Sequence, residues 1–102
     1  MKKAKIRWTE QASESLRAIR ARIVSEGAKL AANRLVKRIK SRVRQLRTFP
    51  ELGGRVDEVV SLPYRELIEG NYRIIYRSDG ETVFVVNVFH AARILTPRDL
   101  ME

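Results

Sequence analysis

Apolar positions recur along this chain with two different periods, and the change of period divides it into a helical half and a strand half. Ala4 to Trp8 alternate in character, as a short first strand does. Thr9 then offers an N-cap and Glu10 an acid in the first turn, where a helix dipole favours negative charge. Ala12, Leu16, Ile19 and Ile23 follow at spacings of four, three and four, one stripe of a helix ending near Ser25. Gly27 supplies the backbone freedom that stops it. A second stripe, Ala31, Leu35, Ile39, Val43 and Leu46, predicts a helix from about Ala28 to Arg47. Two amphipathic helices with so short a break between them form an antiparallel hairpin. Phe49-Pro50 and Gly53-Gly54 close the helical half.

Beyond Gly54 the period is two. Val56 to Val60 reads as a short strand, Tyr64 to Glu69 as a second and Tyr72 to Arg77 as a third, with Gly70-Asn71 as the turn between the last two. Ser78-Asp79-Gly80 reads as a hairpin turn whose central positions tolerate positive φ. Thr82 to His90 is the longest strand and is apolar on both faces, which places it centrally in the sheet. Pro97 argues against a long closing helix. The fold class is α+β, in the order strand–helix–helix–strands, with the helix hairpin packed on a curved antiparallel sheet.

The length of 102 residues fits one domain over residues 1–102. Charge alters the picture more than length does. The net charge is +9, and it is unevenly spread. Met1 to Gly27 carries +4, Ala28 to Arg47 carries +8 with no acid at all, and Thr48 to Glu102 carries −3. The second helix can be a solvated face or a partner-binding one. The missing glutamates favour a partner, because a solvent helix usually interleaves Glu with Lys at i,i+4. Nucleic acid, an acidic protein and an anionic surface are the candidates. The chain has no cysteine and one histidine, His90, which excludes disulfides and multi-histidine metal sites. No cofactor is expected. No signal-type run and no apolar stretch of about 18 residues is present, so a cytoplasmic protein without membrane contact is expected.

Three features carry candidate chemistry. In Tyr72 to Arg77, the residues Tyr72, Ile74 and Tyr76 point one way and Arg73, Ile75 and Arg77 the other. One face packs on the helices, so the other presents arginine, joined by Arg65 if the register allows. These arginines either hold phosphate or carboxylate of a target in a bidentate fork, or pair internally with Glu66, Glu69 or Asp99. His90, with Arg93 three residues on, is either a strand-end histidine capping a backbone group or an acid/base group. The capping reading is favoured. Trp8 reads as core.

The segments KIRWTEQA, TFPELGGR, YRELIEGNYRIIYR and VVNVFHAAR, in this order and spacing, give the chain a clear likeness. It resembles the RelE/ParE superfamily of toxins from type II toxin–antitoxin systems over nearly its whole length. The resemblance implies a plasmid-stabilisation toxin bound in a hetero-oligomer by a cognate antitoxin with an acidic tail. That tail is expected to wrap the helices and sheet, in the apolar groove between the helices and on the arginine-bearing sheet face, with contacts at Leu16, Ile19, Ile23, Arg38 and Arg42. The resemblance implies one of two targets. The ParE branch inhibits DNA gyrase, whereas the RelE branch is a ribosome-dependent mRNA endoribonuclease. TFPELGGR and YRELIEGNYRIIYR look more like the ParE branch. Arg73 and His90 match the ribonuclease branch's sheet arginine and histidine, as phosphate clamp and acid/base. The tyrosine position after the histidine is Ala91, and no tyrosine follows Arg93. The expected target-binding set is Arg65, Arg73, His90 and Arg93.

Overall fold

A computed structural model describes residues 2–102. Strand β1 (Lys5–Trp8) leads into helices α1 (Glu10–Ser25) and α2 (Lys29–Gln45). The strands β2 (Gly54–Arg55), β3 (Arg65–Glu69), β4 (Tyr72–Ser78) and β5 (Thr82–His90) follow, with single 3-10 turns at Asp57–Val59 and Pro97–Leu100. Thr9 caps α1 as its position implies. Its Oγ1 accepts the Ala12 amide at 3.1 Å and donates to the Val86 carbonyl at 3.0 Å, so the cap also ties the helix start to β5. Gly27 turns the chain between the helices at φ 85. The buried stripe of α2 begins at Ala32, fully enclosed, whereas Ala31 is exposed. The two adjacent alanines give the same apolar signal, and packing selects the one three residues before Leu35.

The sheet order is β1-β5-β4-β3-β2. Pairing is antiparallel except between β1 and β5, where Lys5–Trp8 run parallel to Thr82–Val85. The expected antiparallel sheet is therefore mixed. A parallel pair needs a long connection, and the two helices with three strands supply one. β5 lies inside the sheet as expected, though β4 holds the middle place.

Both sheet faces are covered. The helices pack on one, over Ile74, Tyr76, Val83, Val85 and Val88. A smaller core of Val56, Ile75, Val86, Phe89 and Leu95 fills the other, with Val59, Tyr64 and Leu100 against it. An irregularity makes this possible. Ile75 pairs with Asn87 but Tyr76 with Val85, so Val86 is an extra residue on β5. This bulge reverses the alternation, putting Val85 and Val88 on one face and Val86 and Phe89 on the other.

The strand expected over Val56 to Val60 is not formed. Pairing occurs earlier, at Gly54–Arg55, and Asp57–Val59 turns as a 3-10 helix. Val56 plugs the second core while Glu58 reaches across to β4. In the hairpin turn no non-glycine residue takes positive φ. Asp79 acts through its carboxylate instead, accepting the Glu81 and Thr82 amides at 2.9 and 2.8 Å.

Candidate functional site

The arginines of the sheet face are built into the fold. Arg73 is only 7% exposed, and each nitrogen of its guanidinium donates to a carboxylate. Nε donates to Glu66 at 2.6 Å, and the two terminal nitrogens donate to Glu58 at 2.8 and 2.9 Å. The group also lies 5.3 Å over the Phe89 ring. The bond to Arg73 pulls the Glu58 carboxyl down to about 2, and the same bond raises Arg73 further above its ordinary range. Glu58 accepts the Leu95 amide too, at 3.2 Å. Arg93 repeats the design. It holds Asp99 at 2.6 Å and lies 4.3 Å over the Phe89 ring, but its own side chain is exposed. Burial works against ionisation of Asp99, but the Thr96 amide and Arg93 leave it below the usual carboxylate range. Arg77 clamps Glu102 through two bonds of 2.8 Å and stacks 4.2 Å over Phe84. Three arginines thus each hold an internal carboxylate and cover an aromatic ring.

Arg65 does not join them. It sits opposite Tyr76, on the helix-side face, and donates to the Gly53 carbonyl at 2.8 Å. The Gly53 amide donates to the Tyr76 hydroxyl at 2.8 Å, so both residues fix one loop. His90 is likewise separated from Arg73. It pairs with Tyr72, whose ring packs on the helix-side core, whereas Arg73 pairs with Phe89 on the opposite face. His90 is exposed, meets Tyr72 edge-on at 5.6 Å between ring centroids, and accepts the Ala92 amide on Nδ1 at 3.1 Å. Of the expected target-binding set, only Arg73 and Arg93 are brought together, through Phe89.

A second site lies between β1, α1 and α2. Ile6, Trp8, Leu16, Val36 and Val43 line a groove of about 620 Å³. Arg17, Arg20, Lys40 and Arg44 border it. The combination arises from helix geometry: each apolar stripe is flanked by cations three or four residues apart, which rise on either side of it. Trp8 is half-buried and forms part of the lining, so it is more than a core anchor. Leu16 lies at this groove, while Ile19 and Ile23 are half-buried against the main core. Arg38 and Arg42 are elsewhere. They project from the opposite flank of α2, 3.4 and 3.8 Å from Glu69 of β3. The groove's own cations were missed by the sequence reading. Their signal is the Arg17/Arg20 and Lys40/Arg44 spacing beside the two stripes.

Among the described residues no cluster of His, Asp and Glu could hold a metal ion. Among the described residues no helix is long and apolar enough to cross a membrane.

A two-helix hairpin on a five-stranded mixed sheet, with a cation-rimmed apolar groove between the helices and β1, defines a small α+β domain. The sequence model of the ParE toxin of the type II toxin–antitoxin system parDE matches residues 6–95, and the chain belongs to that family. Its fold is similar to a chain of the chromosomal ParDE toxin–antitoxin system from P. aeruginosa. The TM-score is 0.71 at 23% identity, over 85% of this chain and 95% of that one. It is similar also to a chain of the RelBE2 toxin–antitoxin complex from Mycobacterium tuberculosis. There the TM-score is 0.63 at 21% identity, over 86% of this chain and 98% of that one. A comparison with curated proteins gives no match.

Proposed function

We propose that this toxin acts by binding rather than by cleavage, with DNA gyrase as its target, and that an acidic antitoxin neutralises it. The observation that carries the reading is the division of Arg73 and His90 between opposite faces of the sheet. A ribonuclease needs its phosphate clamp and its proton-transfer group within reach of one scissile phosphate. Here the clamp's nitrogens are held by Glu58 and Glu66. Gyrase assayed for supercoiling with purified toxin tests the proposal. Inhibition is expected at micromolar toxin, and full supercoiling activity at that concentration would refute it. Primer extension on translated mRNA examines the alternative, a ribosome-dependent endoribonuclease. New 5′ ends that vanish in His90→Ala would establish cleavage instead.

The groove supports the antitoxin half of the reading. Its apolar floor suits an amphipathic segment with anchors at i, i+3 or i+4, and its four cations suit acidic residues flanking those anchors. We assign the antitoxin tail to Leu16 and Trp8 on the floor and to Arg17, Arg20, Lys40 and Arg44 on the rim.

A further inference from the structure

The eight cations between Ala28 and Arg47 do not form one surface. Lys40 and Arg44 border the apolar groove, but Arg34, Lys37, Arg38 and Arg42 line a shallow depression on the other flank of α2, with Ser41, Gln45 and Glu69. No apolar side chain lines that depression. Protein partners are held chiefly by buried apolar and aromatic anchors. Here the apolar part of the lining is only the stems of long polar side chains, and four cations against one acid match a ligand recognised by its charge. We propose that this flank of α2 binds the phosphate backbone of duplex DNA.

The dimensions agree. Arg34 and Arg42 are eight residues apart on one helix, about 12 Å at ~1.5 Å per residue. That span covers about three to four phosphates of one strand, at ~3.4 Å of axis each. Arg34, Lys37 and Arg38 are exposed. Glu69, which reaches both Arg38 and Arg42, is the one acid in the depression and can offset one of the four cations. Ser41 and Gln45 add uncharged donors of the kind that commonly contact phosphate oxygens. The absence of any aromatic ring in the lining points to duplex rather than single strand, because single-stranded nucleic acid is held largely by base stacking on aromatic side chains. The flank is separate from the groove, so a toxin with its groove filled still presents it. The inference does not depend on the identity of the toxin's target.

With three net cations, affinity for a duplex of arbitrary sequence should fall with salt with a log–log slope of about −3, at ~0.9 per phosphate. Fluorescence anisotropy of the full chain with a short labelled duplex, repeated over a salt series, measures it. Arg34→Glu with Lys37→Glu takes the flank from three net cations to one net anion and should flatten the slope to about zero. Lys3→Glu with Arg98→Glu changes the net charge equally at exposed positions away from this flank and should leave the slope near −3. Equal loss in the two double variants would mean that only the overall charge acts, and would overturn the proposal. So would a wild-type slope near zero, or tighter binding of single-stranded polyuridine with the same dependence on Arg34 and Lys37. Glu69→Gln provides a check free of charge reversal on the helix. It should steepen the slope by about 1, and an unchanged slope would count against the site.

Discussion

Replacing Glu58 by glutamine removes one negative charge from the Arg73 cluster while keeping the shape of the side chain and an acceptor for the Leu95 amide. The Glu58 carboxyl stands at about 2, against an ordinary 4.5, chiefly through its bond to Arg73. A drop of about 2.5 at ~1.36 kcal/mol each sets a ceiling of ~3 kcal/mol on what the charged form contributes. The Glu58 side chain remains 30% exposed, so water screens part of that. We expect a loss of about 1–2 kcal/mol at pH 6–7. The folded-state value is depressed, so this stability is fully present above pH 4.5 and is lost as pH falls toward 2. Urea titrations followed by circular dichroism at several pH values would read it. At an m-value of ~1 kcal/mol/M the variant's midpoint should lie about 1–2 M lower near neutrality, and the gap should close as pH falls toward 2. Asp99 and Asp79 also sit below their ordinary values, but they are common to both proteins and cancel in the difference. A gap that persists unchanged to pH 2.5 would show that the interaction is not ionic. Unaltered stability with weakened gyrase inhibition would make Arg73 a target-contacting group and refute its assignment to the fold.

Gly53→Ala should lower the melting temperature by about 10 °C or more, since overpacking costs about 2 kcal/mol and each kcal/mol moves Tm by ~4–8 °C in a domain of this size. Its Cβ would fall 2.5 Å from the Glu66 carbonyl oxygen and 2.8 Å from the Tyr76 ring, and backbone cannot yield as a flexible side chain can. Thr9→Ala should cost about 1 kcal/mol in the same melts, because the Ala12 amide loses its cap; no change would mean that the bond to the Val86 carbonyl and the cap are both idle. Arg17→Glu with Lys40→Glu should slow association with an acidic antitoxin peptide about tenfold or more at low salt, measured by stopped flow, with the difference shrinking as salt rises. Arg38→Glu with Arg42→Glu should slow it less. The reverse order would move the antitoxin to the other flank of α2.

Much of this architecture is legible one element at a time. The stripe from Ala12 to Ile23, the Thr9 cap and the alternation in Tyr72 to Arg77 each follow from local period and side-chain chemistry. What is not legible depends on register between distant segments. Nothing within Lys5–Trp8 says that its neighbour is β5 and that the pair is parallel. Arg65 and Arg73 look alike in their strands, yet one pairing position decides that they lie on opposite faces. The extra residue at Val86 cannot be read from an unbroken apolar run. The alternative in which sheet arginines pair internally was visible as a possibility, with Glu66 and Asp99 among the named partners. Glu58 is not among them, because its sequence context predicts a strand, whereas a 3-10 turn directs it toward Arg73. In α2 the excess of charge was plain, but which cations meet the groove and which meet Glu69 depends on how the helix is rotated against β1 and β3.

The parallel pairing of β1 with β5 also sets a timetable. Ile6 and Trp8 are made well before their partners Val83 and Val85, with both helices and three strands between them. A domain folds as a unit, and this wall of the groove is fixed only once β5 is available to pair with it. On the reading proposed above, a chain made only as far as β4 has no finished seat for an antitoxin. Capture then falls after β5 has closed on β1, and a fast, charge-steered encounter is what would shorten the time the finished groove stands empty.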